Sequence, residues 1–284
     1  AAIYGNSSIK SAFDIALHDL AAQSAGLPLY ALLGGHENNV LVTDYTVSLG
    51  DVADMVADAV DIMNRGFPAI KIKLGGTRDD DLCRIREIRK AVGPGIPLRL
   101  DANQGWSLKT AIQILAQLDG MNIEFCEEPI PRWDFMNLAK VRAASAVPIM
   151  ADESCCDPHD MARLIDLGAC DCMNIKLGKS GGLYHAREML RLAEQAGLKV
   201  QIGGFVESRL GLTASAHLAL SSPCVAWCDF DTALMLADDP VIGGVVYGAD
   251  GTLELPDGIG LGAAIAWPCQ LGQTSAFSVK VREF

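Results

Sequence analysis

From residue 40 onward the chain alternates short runs rich in β-branched and aliphatic residues with longer stretches whose apolar positions recur every three or four residues. The short runs predict strands at 40–48, 69–73, 97–101, 122–126, 147–151, 171–176, 198–202 and 225–229. The longer stretches predict helices at 51–65, 79–92, 107–118, 134–145, 158–167, 182–196 and 207–220. Several open on capping or turn residues, among them Asp51, Ser107 and the pair Asp157-Pro158. After the second strand the repeat settles near about 25 residues, the length of one strand, one helix and two short loops. Eight such units predict an α/β fold of the (β/α)8 TIM-barrel type. An open doubly wound sheet would want a glycine fingerprint at its first strand-to-helix turn, and 48–52 has none.

Ahead of the barrel, residues 1–39 carry one amphipathic helix, roughly Ser8 to Ala25, that reads as a lead-in. The barrel itself is expected to span 40–232. The tail, 233–284, is rich in Gly and Asp with strand-like pieces at VVYG and TLELP, and is expected to pack outside. Glycine pairs at 75–76, 181–182 and 203–204 fall just past strand ends, where turn chemistry explains them better than phosphate binding.

Composition narrows the function. A length of 284 residues with 50% hydrophobic content suits one barrel domain. The formal charge of −12 repels phosphate backbones, which argues against nucleic acid as a partner. No run reaches transmembrane length and no secretory leader opens the chain, so no membrane partner is expected and the location is read as cytoplasmic. Nine cysteines, an odd number without paired CxxC spacing, read as reduced thiols rather than a zinc site.

In a barrel of this type, side chains at the C-terminal ends of the strands meet at one mouth. There the sequence places Lys71 and Lys73, then Asp101 and Asn103, Glu127, Asp152, Lys176, and Asp229-Phe230-Asp231. Three carboxylates from consecutive strands, Asp101, Glu127 and Asp152, would repel one another unless a cation lay between them, and an all-oxygen set favours Mg2+. Each acid alone could equally be a helix cap or an ion-pair partner. Lys71 and Lys73 share a strand face, and a like-charge pair is expected to lower the pKa toward that of a base. Lys176 comes from across the mouth. An amine on each side of a metal-bound carboxylate can remove an α-proton and return it from the opposite face, which is epimerisation through an enediolate. With a leaving group on the β-carbon the same parts would eliminate. The acids Asp229 and Asp231 read either as a strand end followed by a helix cap or as a separate anionic centre suited to a substrate ammonium.

The segments KIK at 71–73, DAN at 101–103, EEP at 127–129, ADES at 151–154 and NIKLGKSGG at 174–182 resemble the muconate-lactonising branch of the enolase superfamily. The resemblance covers about residues 1–265, with motif intervals that fit throughout. It implies Asp101, Glu127 and Asp152 as Mg2+ ligands, Lys73 and Lys176 as the acid/base pair, and Lys71 as a residue that tunes Lys73. WCDFD at 227–231 is similar to the signature of dipeptide epimerases, implying that Asp229 and Asp231 bind a dipeptide's ammonium group. Thr46 matches the family's contact to the substrate carboxylate, and Glu207 lies where the family has a polar residue near the site. The resemblance also implies a homo-oligomer and an N-terminal α+β capping domain, most of which is expected to be absent from this chain. Other enzymes of the branch, an o-succinylbenzoate synthase, an N-acylamino acid racemase or a cycloisomerase, stay open as alternatives, as does a non-catalytic ligand-binding barrel.

Overall fold

The computed structural model describes residues 3–255 and 257–266. The rest of the tail, including Cys269, lies outside the described residues. Eight parallel strands follow one another around a single sheet: β1 (Tyr45–Val47), β2 (Ile70–Lys73), β3 (Leu98–Asp101), β4 (Ile123–Glu127), β5 (Ile149–Ala151), β6 (Cys172–Lys176), β7 (Lys199–Gly203) and β8 (Val225–Asp229). The ring closes just ahead of β1, where Thr43 bridges Cys228 in parallel and the Phe230 N–H donates to Thr43 Oγ1 at 2.8 Å. The chain enters through α1 (Ser7–Ala25) and α2 (Leu29–Leu32). The strands are then separated by α3 (Val52–Asn64), α4 (Arg78–Val92), α5 (Leu108–Leu115), α6 (Phe135–Ala143), α7 (Pro158–Asp166), the pair α8 (Leu177–Ser180) and α9 (Leu183–Ala196), and α10 (Arg209–Ala219).

Strand alternation decides what goes where. Ile70, Ile72, Leu98, Leu100, Met173, Ile175, Val200 and Ile202 point outward into the main core, which lies between sheet and helices. Burying such side chains stabilises by about 1.5–3 kcal/mol each, so this layer supports a charged barrel interior. Inside, a small apolar floor of Phe125, Met150 and Cys172, with Trp227 packed on it, fills the bottom. Phe125 and Trp227 meet edge to face at 5.1 Å. Above that floor the inward positions are polar, and they form the mouth.

Several expectations need correction. The run 40–48 is not one strand: Leu41–Val42 pairs antiparallel with Thr252 and Leu253 outside the barrel, and only Tyr45–Val47 joins it. The break falls at Thr43 and Asp44, whose side chains turn to the ring closure and to Arg99. The short α8 directly after β6 was not expected, because four residues carry no readable period. Ser107 and Asp157 do cap their helices, but Asp51 makes no side-chain cap bond. Finally, α1 packs on α8 and α9 through small residues, burying Ser11 and Ala22, and leaves Ile9, Phe13, Leu17 and Leu20 exposed. Among the described residues no helix is long and apolar enough to cross a membrane.

Candidate active site

Two residues apart on β2, Lys71 and Lys73 both reach into the mouth. Lys71 is buried, with its Nζ 3.1 Å from Asp101 Oδ2, 2.9 Å from Glu127 Oε2 and 2.8 Å from Asp229 Oδ2. Lys73, at the strand end, is 31% exposed and places its Nζ 2.7 Å from Asp101 Oδ2. Lys176 ends β6 and sets its Nζ 2.6 Å from Asp152 Oδ2. Because β2 and β6 lie four strands apart in a ring of eight, Lys73 and Lys176 stand half a turn from each other.

These contacts reverse one expectation. Burial and a neighbouring ammonium were expected to depress Lys71; burial does act that way, but Asp229, Glu127 and Asp101 together hold its pKa well above the ordinary lysine value. Burial would likewise lower Lys176, yet Asp152 and Glu127 raise it. Among the acids, Asp101 and Asp152 are held below the usual carboxylate range because their lysines outweigh the cost of burial. Glu127 goes the other way. Burial, and then the charges of Asp101 and Asp152, push it up to about 8, although Lys71 and Lys176 pull it down. Of the three acids, Glu127 is therefore the one whose charged form the surroundings disfavour.

The state of Glu127 bears on a metal. Among the described residues no three carboxylates converge directly enough to form a ready-made cage. Ammonium groups stand between them: Lys71 bridges Asp101 and Glu127, while Lys176 takes Asp152. The acids are nonetheless neighbours, with Asp152 within hydrogen-bonding reach of Glu127. Asn174 Nδ2 donates to Glu127 Oε1 at 2.7 Å and orients it. An all-oxygen donor set with an unsettled carboxyl at its centre fits a hard divalent cation such as Mg2+.

The expected separate anionic centre is only half separate. Asp229 joins the acid trio through Lys71 and is held below the usual range by it, despite burial. Asp231 is different. Its Oδ2 accepts the Thr46 N–H at 2.7 Å, while its Oδ1 is buried with no partner. Burial, Asp229 and Asp44 push its pKa up to about 8. Thr46 thus meets Asp231 through its backbone. Asn103 is exposed, in left-handed backbone, with its N–H on Asp101 Oδ1 at 3.0 Å. Glu207 is turned back onto its own loop, where Oε1 accepts the Phe205 N–H at 3.1 Å, and burial raises its pKa.

Sequence reasoning missed four side chains here. Lys179 and Glu128 both hold Asp152. Asn174 orients Glu127, and Asp44, paired with Arg99, lies beneath Asp229 and Asp231. Glu128, Asn174 and Lys179 offered a signal, since all three lie in the segments EEP and NIKLGKSGG; Asp44 offered none.

Comparison with known proteins places the chain in a family. The family described as enolase C-terminal domain-like matches residues 54–268, and the mandelate racemase/muconate lactonizing enzyme N-terminal domain matches residues 1–34. The chain is 56% identical over 263 residues to the D-Ala-D/L-Ala epimerase of Cytophaga hutchinsonii, covering 93% of this chain and 72% of the relative. The crystal structure of a dipeptide epimerase from that organism, complexed with Mg and D-Ala-L-Val, superposes with a TM-score of 0.91 at 56% identity, covering 93% of this chain and 72% of that one. A dipeptide epimerase from Enterococcus faecalis, complexed with Mg and L-Leu-L-Tyr, gives 0.89 at 40% identity, with 92% and 74% covered.

Proposed function

The chain belongs to the enolase C-terminal domain-like family, of the mandelate racemase and muconate lactonizing enzyme kind, and from that premise we propose that it is a Mg2+-dependent dipeptide epimerase, an isomerase of amino acid derivatives. The observation that carries the reading is the pair of amines half a barrel apart, Lys73 on Asp101 and Lys176 on Asp152, with the acids between them. The dipeptide as substrate class rests on the relatives and on Asp231, a buried carboxyl with an unpartnered oxygen suited to an ammonium.

Asp101, Glu127 and Asp152 would hold the Mg2+. Bound there, the ion supplies positive charge where negative charge grows on the substrate carboxylate as the α-proton leaves. The chain's own groups do the rest. Asp231, its Oδ2 held by the Thr46 N–H, would take the substrate's ammonium end, and Asp229, tied to Lys71, links that pole to the metal ligands. One of Lys73 and Lys176 takes the α-proton of the C-terminal residue to leave the enediolate; the other delivers a proton from the opposite face. Lys71, kept protonated by three acids, adds fixed positive charge and orients Asp101 and Glu127.

The test is direct. Incubated in D2O with MgCl2 and an Ala-Ala dipeptide, the protein is expected to interconvert epimers at the C-terminal α-carbon with deuterium incorporated there. An N-acylated amino acid, lacking the ammonium, is expected to react far more slowly. Turnover of the N-acyl compound at the dipeptide rate would favour the N-acylamino acid racemase reading, and no exchange in either would favour a binding barrel.

A further inference from the structure

One amine in the mouth has no part in that mechanism. Lys179 lies on α8, and its side chain is only 8% exposed. Its Nζ donates to Asp152 Oδ1 at 2.5 Å, to the Asp152 carbonyl at 2.5 Å and to the Asn174 carbonyl at 2.8 Å. The same aspartate is held from its other side. Glu128 Oε2 accepts the Asp152 N–H at 2.6 Å, and also the Ser154 N–H at 3.2 Å and the Ser154 hydroxyl at 2.9 Å. Glu128 does this from left-handed backbone, at φ 36°. For a residue with a side chain that conformation costs about 1–3 kcal/mol, so the surrounding bonds must hold it there.

Asp152 is therefore gripped at its N–H, its carbonyl and one carboxylate oxygen. Its other carboxylate oxygen, Oδ2, accepts from Lys176. We propose that Lys179 is a positioning residue for Asp152: by keeping Oδ1 engaged it leaves Oδ2 as the one oxygen offered to Mg2+, in an orientation set before the ion arrives. The inference rests on the magnesium reading given above. Glu128 completes the grip from the backbone side.

A fixed ammonium beside a metal ligand pulls in two directions. Its charge repels the cation, whereas its hydrogen bonds remove the freedom the ligand would lose on binding. Two of the three acceptors of Lys179 are main-chain carbonyls, so its bonding is chiefly a matter of placement. Loss of such a supporting partner typically weakens metal binding by about 10–100-fold.

The two effects have opposite signs, which makes the test decisive. Mg2+ affinity is measured by titration calorimetry with MgCl2 on the full chain, for wild type, Lys179→Met, Lys179→Arg and Glu128→Gln, with circular dichroism confirming that each is folded. The expected result is a Kd raised about 10–100-fold in Lys179→Met, less in Lys179→Arg, and raised also in Glu128→Gln. A purely structural lysine would lower the melting temperature of the metal-free protein and leave the Kd of the folded variant unchanged. Unchanged or tighter Mg2+ binding in Lys179→Met overturns the proposal. If that variant does not fold, equal or tighter binding in Lys179→Arg overturns it instead. Wild type that binds no Mg2+ would sink the magnesium reading itself, and this inference with it.

Discussion

Asp152 and Asp231 follow the ends of β5 and β8 at the same mouth, are equally buried, and have their charges settled in opposite ways. Asp152 meets two ammonium groups, and they hold it well below the ordinary carboxylate range against the cost of burial. Asp231 meets a single N–H and two other acids, and rises to about 8. Burial is the same in both; the supply of positive charge is not. Where the protein provides the cation itself, the carboxylate is built to stay charged. Where it sets no ammonium directly against the acid, a charged carboxylate needs its partner from outside, and an α-ammonium group has the right charge and donors.

The comparison breaks most visibly through Asp231. Replacing it by Asn is expected to cost about 2–5 kcal/mol in kcat/KM for dipeptides, the usual loss when one side of a buried charge pair is removed. Turnover of an N-acylated amino acid is expected to fall much less. Steady-state kinetics on both substrates checks this, and an equal loss on both would mean that Asp231 does not meet the ammonium.

A smaller effect sharpens the same contrast through pH. Between the ordinary carboxylate value of 3.8 and about 8, folded Asp231 keeps a proton that the unfolded chain has lost. The folded state binds more protons there, so stability falls as pH rises through this window. The melting temperature of wild type is therefore expected to decline relative to Asp231→Asn from pH 5 to pH 8. Other buried acids, Glu127, Glu128 and Asp44, titrate in the same direction but are common to both proteins. A saturating dipeptide, by supplying the missing cation, is expected to flatten the difference.

Much of this layout was legible in the sequence. Strand period fixes which residues end a strand and which face they share, so Lys71, Lys73, Asp101, Glu127 and Lys176 could be assigned to the mouth before any coordinates. What alternation cannot show is who stands opposite across the barrel. Lys71 was read beside Lys73 as a like-charge pair, but Asp229, six strands later in the chain and brought near by closure of the ring, and Glu127 outweigh that neighbour. Lys179, inside NIKLGKSGG, was not singled out because the four-residue helix that aims it has no period to read. The same limit hid the split of 40–48, since the partner of Leu41 and Val42 is Thr252–Leu253, more than two hundred residues later.

The central claim is that Lys73 and Lys176 address one carbon from opposing faces, and α-proton exchange in D2O with each lysine removed tests it most directly. With MgCl2 present, Lys73→Ala is expected to exchange the α-proton of one epimer only, Lys176→Ala that of the other only, and neither to interconvert them. If both variants kept or lost exchange on the same epimer, the two amines would act from one face and the account would be wrong.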